Sequence, residues 1–258
     1  LEANARALIP SFGGFSMSGF SIDIPDPDNA GSRIVADIGA VDLTLANYIN
    51  GIPSALDASV SNLQAELPED TGDDSLEMLR SFGVTDIDAS ARVALAWDEA
   101  SNSINIEDVS FSGVDLATVR LAGTITNATA ALFDENENNV MAAAMGLAVK
   151  SLNLDVVDAG LSDLVLAVAA ADQGADPATL RPIFAGLAEG TVISLMAGAA
   201  DAAKLGQAIN AFVSGKAKTL QIGLEAKQDP GISIPEFLAA EDDPASLLGK
   251  LNVSATAK

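Results

Sequence analysis

Acidic side chains are the first candidates for chemistry: the chain holds 36 of them against 13 Lys and Arg, and it has neither His nor Cys. Without those two residues, thiol nucleophiles, Ser–His–Asp triads, thiolate zinc sites and haem-ligating histidines are excluded. Asp134, Glu135 and Glu137 in "DENENN" could offer oxygens to Ca²⁺, as could "DPDN" at 26–29. Neither follows the twelve-residue helix–loop–helix spacing with its terminal Glu. Both read more simply as solvated turns, and no metal is expected. Asp73–Asp74 and Asp242–Asp243 are adjacent pairs in polar loops. Acid–base catalysis needs two carboxylates at a set separation in unlike surroundings, which neighbours in one loop do not provide. Lys150–Ser151 and Ser214–Gly215–Lys216 set an amine beside a hydroxyl. A nucleophilic serine needs a buried, neutral lysine, whereas Lys216 and Lys218 fall at a helix end, where a cation favours the dipole and faces water. "SFGGFSMSG" (11–19) has glycines but no lysine and no strand-to-helix context, so it is no phosphate cradle. Asn127 and Asn252 begin glycosylation triplets at the frequency chance gives. No catalytic residue and no cofactor is assigned, and an enzyme is not expected.

What the chain does carry is periodicity. From Ala91 to Asn127 the residues read as three strands: Ala91, Val93, Leu95 and Trp97 alternate with polar residues, Ile104 and Ile106 begin a return, and Val119, Leu121 and Ile125 line a third. Val109 and Phe111 continue the return in the opposite phase, which a bulge around Glu107–Asp108 would restore. Gly13–Ile24 and Arg33–Tyr48 read as strands too, the second slipping phase near Gly39, where a bulge is again expected. Residues 54–67 alternate weakly, as a partly exposed strand would. Ser75–Phe82 reads as a short helix that Ser75 can cap and Gly83 would end.

Beyond Asn127 the pattern turns helical. Helical preference starts at Val140, a strand "SLNLDVVDA" interrupts at 151–159, and Leu161–Asp172, Pro177–Ala199 and Asp201–Val213 follow as helices. Asp176–Pro177 has the chemistry of a helix start. Residues 218–227 and 251–258 close the chain as strands, with helical turns at Ile234–Ala240 and Pro244–Leu248. The expected fold is α+β in a single domain over 1–258: strand-rich over 13–127, helix-rich over 140–215, closing strands over 218–258. A curved antiparallel sheet packs against Ala-rich helices, and the C-terminal strand returns to the sheet.

The formal net charge of −23 repels nucleic-acid phosphates and anionic lipid surfaces. Aromatic residues are 4% of the chain, too few for a surface that stacks bases. The longest apolar run, Ile183–Ala200, is broken by Glu189 and rich in glycine, so no transmembrane segment is expected. The chain opens at Leu1 rather than Met, which reads as an upstream segment either cleaved as a signal or trimmed away.

The block "LRSFGVTDIDASARVALAWDEASNSINIEDVSFSGVDLATVRLAG" and the tail "LQIGLEAKQDPGISIPEFLAAEDDPASLLGKLNVSATAK" resemble uncharacterised proteobacterial envelope proteins of long-stranded, AsmA-like type. The likeness lies in an L-x-x-x-G-V-x-x-I lead-in, a strand ending in Trp97–Asp98 and a return strand before a D-L-A step. It implies a periplasmic or otherwise extracytoplasmic place and lipid handling, and it brings no functional residues. From the residues themselves, "LVLAVAAA" and "VISLMAGAA" could pack on the sheet or line a groove for an acyl chain. Long half-apolar strands need a covering layer, and what the helices leave bare is an apolar concavity. The expected function is binding or carriage of a lipid-like ligand there, with Leu95, Trp97, Phe111, Leu121 and Ile125 as wall residues. The alternative is a structural or interaction subunit of an envelope assembly, docking a protein partner by its strand edges.

Overall fold

The structure, a computed structural model, describes residues 11–26, 33–67, 74–196, 201–240 and 245–258. The strand-rich part comprises β1 (Gly14–Pro25), β2 (Arg33–Ile49), β3 (Ile52–Glu66), helix α1 (Asp74–Ser81), β4 (Asp86–Asp98), β5 (Ser103–Gly113) and β6 (Ala117–Thr126). A one-turn 3-10 helix (Ala130–Phe133), α2 (Glu137–Met145) and β7 (Ala148–Asp158) lead into α3 (Leu161–Gln173), α4 (Pro177–Leu195) and α5 (Ala202–Val213). The chain closes with β8 (Thr219–Ala226), β9 (Ile232–Ser233), α6 (Ile234–Ala239), α7 (Ala245–Leu248) and β10 (Leu251–Ala257). Every pairing is antiparallel, and the strands follow one another in the order β1-β2-β3-β4-β5-β6-β7-β8-β10, with β9 beside β7. This is the α+β fold with an open, curved antiparallel sheet that the periodicity predicts, and the C-terminal strand does return, onto β8.

Residues paired directly across an antiparallel sheet point to the same face, so the register converts the alternation of each strand into rows. One row runs Phe15, Leu43, Ala58, Val93, Val109, Leu121, Leu154, Ile222, Ala255. The next on that face runs Met17, Val41, Val60, Ala91, Phe111, Val119, Val156, Leu220, Ala257. Between them, on the opposite face, lie Ser16, Asp42, Ser59, Arg92, Ser110, Arg120, Asp155, Gln221 and Thr256. One side of the sheet is thus apolar across nine strands and the other is polar.

Bulges keep that division intact. Strand β4 alternates without interruption, but Val60 and Leu63, three residues apart, pair with Ala91 and Ala89, two apart. Asn62, at φ 52°, takes the extra place, in line with Gly39 and with Gly19 at φ 63°. The slip expected at Gly39 is therefore shared by three strands, and it holds Phe20, Ile38 and Leu63 on the apolar side. In β5, Ile106 and Val109 pair with Leu95 and Val93, which places the second expected bulge at Glu107–Asp108.

The helices cover one end of this sheet. Helix α5 lies on the apolar face of β8 and β10, where Ala202, Leu205 and Met196 meet Val253, with Ile222, Leu224 and Ala255 around them. Helix α4 packs on α5 across Gly206, where a Cβ would come within 2.9 Å of Ile193 Cγ1. Asp176 caps α4 by accepting from the Ala178 N–H at 2.9 Å, as its sequence predicts. Helix α3 packs on α4 rather than on the sheet, and ends at Gly174 with φ 60°. Helix α2 begins at Glu137 rather than Val140, because Asn136 caps it through the Asn138 N–H. Strand β7 spans Ala148–Asp158, longer at its start than the 151–159 pattern predicts, since Ala148 and Val149 are held by β9.

Among the described residues no α-helix packs along the apolar face of β1 to β5, and Phe133 of the 3-10 helix covers it at the Trp97 end. Part of the oily face is left uncovered by the fold itself. Phe15 is 43% exposed, Met17 49% and Phe111 55%.

Close packing still matters inside the sheet. Gly123 sits in the apolar row between Ile106 and Leu152. A Cβ there would press into the Ser151 carbonyl oxygen and approach Leu152 Cδ2 to 2.9 Å. Gly123→Val is expected to destabilise the fold by about 2 kcal/mol through overpacking, readable as a lowered urea midpoint with unchanged slope.

Candidate apolar binding site

All five residues expected to form a wall lie on the apolar face. Leu95 shares a row with Leu56 and Ile106, and Trp97 pairs with Ile104, which pairs with Ile125. Phe111 stands between Ala91 and Val119, and Leu121 between Val109 and Leu154. The face breaks into three hollows. Leu95 and Trp97 come together in one of about 260 Å³, with Leu45, Leu56, Ile104 and Phe133. The Trp97 ring meets Phe133 edge-on at 4.9 Å, and its Nε1–H donates to the Ala128 carbonyl at 2.5 Å. A second, of about 360 Å³, opens over Phe15, Val41, Leu43, Val60 and Val93.

The third, about 520 Å³, is a groove where α3 and α4 stand off the sheet. Its floor is Ala117 and Val156, its walls are Leu161, Val165, Phe184 and Leu187, and Phe212 and Val213 of α5 close it behind. None of the five expected residues lines it. Phe111, Leu121 and Ile125 line none of the three hollows, although Phe111 shares the row Phe111–Val119–Val156 with the groove floor. Of the two segments singled out as possible groove walls, "LVLAVAAA" contributes Val165, Leu166 and Ala169. From α4 the groove takes Phe184, Leu187, Ala188 and Thr191, all upstream of "VISLMAGAA", which contributes none among the described residues. Their i, i+3, i+4, i+7 spacing is the signal that would have found them. Leu187 is 60% exposed although it faces the groove.

One end of the groove is polar. The Asp158 side chain, 5% exposed, accepts from the Ser162 hydroxyl at 2.6 Å, the Ser162 N–H at 3.0 Å, Lys218 Nζ at 2.9 Å and the Gly160 N–H at 3.3 Å. Burial alone would raise its pKa, but these hydrogen bonds outweigh burial and hold the carboxyl well below the usual range. Lys218 is raised by the same contact. Asp163 completes the group, paired with Arg181 and lying 4.0 Å from Lys218. Because the folded-state pKa of Asp158 is depressed, the stability it adds is complete above the unfolded value near 4 and is lost as the pH falls below it. Asp158→Asn is expected to lower stability by about 2 kcal/mol at pH 7 and to flatten the loss of stability between roughly pH 4 and pH 2, measured by denaturant titration at each pH.

The residues weighed for other chemistry are occupied structurally. Asp134 accepts from the Asn136 N–H at 2.8 Å and the Asn139 side chain at 2.9 Å, organising the start of α2. Lys150 donates to Asp229 at 2.8 Å and to the Ala226 carbonyl at 3.3 Å, not to Ser151. Residues 27–29 of "DPDN", Asp73 and the Asp242–Asp243 pair lie outside the described residues. Ser75's side chain does too, though α1 forms and ends at Gly83, φ 90°, as expected. Among the described residues no three acidic side chains converge as metal ligands, and no helix is long and apolar enough to cross a membrane. On the polar face Arg92 clasps Asp57 at 3.0 and 2.7 Å, and Arg120 reaches Asp108 at 3.2 Å, which ties β3 through β6 together. Those charges all lie away from the apolar side.

Fold and hollows together define an α+β protein whose antiparallel sheet carries one continuous apolar face, covered by helices at one end. The chain belongs to a family described as "Uncharacterized protein", whose model matches residues 110–258, more than half of its length and all of the groove. No curated protein matches it.

Proposed function

We propose that this protein binds or carries a lipid-like ligand on the apolar face of its sheet, in the concavity between sheet and helices. The observation that carries the reading is the apolar face itself, complete over nine strands yet, among the described residues, closely covered at the α5 end and at Phe133 while Phe15, Met17 and Phe111 stay exposed. A charged or polar ligand would gain nothing there, whereas an acyl chain removes oily surface from water at about 25 cal/mol per Å². The resemblance of residues 79–123 and 220–258 to AsmA-like envelope proteins supports an extracytoplasmic place for this activity. Trp97 is the sole tryptophan and lies on the face concerned. Titration with a neutral long-chain amphiphile is expected to shift its emission to the blue and to saturate. Emission that stays unchanged, with no heat of binding, would remove the proposal.

A second reading rests on the sheet edge. Among the described residues β1 pairs only with β2, so its outer backbone groups can accept another strand. On that reading the protein is a structural subunit of an envelope assembly, and purification would give a stable complex without small ligand.

A further inference from the structure

The groove beneath α4 differs from the two open hollows. It is the largest of the three, it has a floor, two walls and a back, and about 520 Å³ is the size of a small-molecule site. A protein partner needs an open surface of about 1,000 Å² or more, which a cleft under a helix does not present. The polar residues among its lining are Asp158, Ser162 and Thr191. No basic side chain lines it. The two cations beside its polar end are already committed, Lys218 to Asp158 and Arg181 to Asp163, and Lys216 on the following turn does not reach the lining. An anionic headgroup would therefore find no free cation there, in a chain of net charge −23. A neutral or zwitterionic head brings no net charge to that end and needs no cation to balance it.

Resting on the proposed carriage of an apolar ligand, we infer that the groove takes the acyl chain of a single-chain amphiphile with a hydroxyl-bearing or zwitterionic head, and discriminates against a free carboxylate. The chain lies along Val165, Phe184 and Leu187, and the head sits at the Asp158–Ser162 end.

Calorimetric titration with monopalmitoylglycerol, palmitoyl lysophosphatidylcholine and palmitate tests this below their critical micelle concentrations at pH 7.5. The first two are expected to bind at least tenfold more tightly than palmitate. Asp163→Asn, which releases Arg181 from its carboxylate, is expected to narrow that ratio below threefold. Val165→Trp and Leu187→Trp each fill the groove from an exposed wall position, and each is expected to weaken all binding at least tenfold with the thermal midpoint held. Palmitate binding as tightly as the glycerol ester, or an unchanged ratio in Asp163→Asn, overturns the headgroup assignment. Full binding in both tryptophan variants overturns the groove as the site while leaving carriage elsewhere on the sheet standing. Failure of every amphiphile to bind the parent protein removes the proposed function itself.

Discussion

Phe111→Asp is expected to cut the affinity of the sheet face for an apolar chain at least tenfold, while moving the thermal midpoint by no more than about 3 °C. The two effects separate because of where Phe111 stands. More than half of its surface is exposed, between Ala91 and Val119 in the middle of the apolar row. Truncating it forfeits cross-strand contacts of about 0.2–1 kcal/mol. A carboxylate in its place stays hydrated while the face is open. Once a chain covers the row, that carboxylate must shed its water without a partner, at a cost of several kcal/mol. The same substitution on the polar face, Ser110→Asp, is expected to leave affinity unchanged, and equilibrium binding of the two variants provides the comparison.

Trp97→Ala has the opposite signature. Its ring is half-buried against Phe133 and holds the Ala128 carbonyl, so it joins β4 to the segment that crosses from β6 to α2. Removing a buried Trp costs about 3 kcal/mol, which lowers the thermal midpoint by roughly 6–12 °C in a chain of this size. Trp97→Phe keeps the edge-on ring contact and loses only the donor, so about 1 kcal/mol is expected. Denaturant curves for the two variants separate the ring from the hydrogen bond. A midpoint for Trp97→Ala equal to that of the parent would show that Phe133 does not anchor this end of the face.

Strands were the legible part of the sequence because their signal is local. Val93, Leu95 and Trp97 alternate with polar neighbours, and each phase slip, at Gly39 and at Glu107–Asp108, marks a bulge in the structure. That the slip at Gly39 is one event running through Gly19 and Asn62 follows only from register, which no single strand encodes. The wall residues were legible as a face but not as a pocket. Leu95 and Trp97 do meet in one hollow, whereas Phe111, Leu121 and Ile125 point to the same side without lining one of the three hollows. The groove was legible only through "LVLAVAAA", because it depends on α3 and α4 standing off the sheet, and helix amphipathicity says which side is oily, not how far away its partner is. Asp158 was hidden for a related reason: its partners Ser162 and Lys218 come from a helix and from the chain before β8, 4 and 60 residues away.

Native mass spectrometry of the protein isolated without detergent from its own host addresses the apolar face most directly. A lipid-sized increment above the polypeptide mass is expected, lost on collisional activation and missing from Phe111→Asp. A bare polypeptide mass for the parent, or an equal increment retained by Phe111→Asp, would contradict binding on that face.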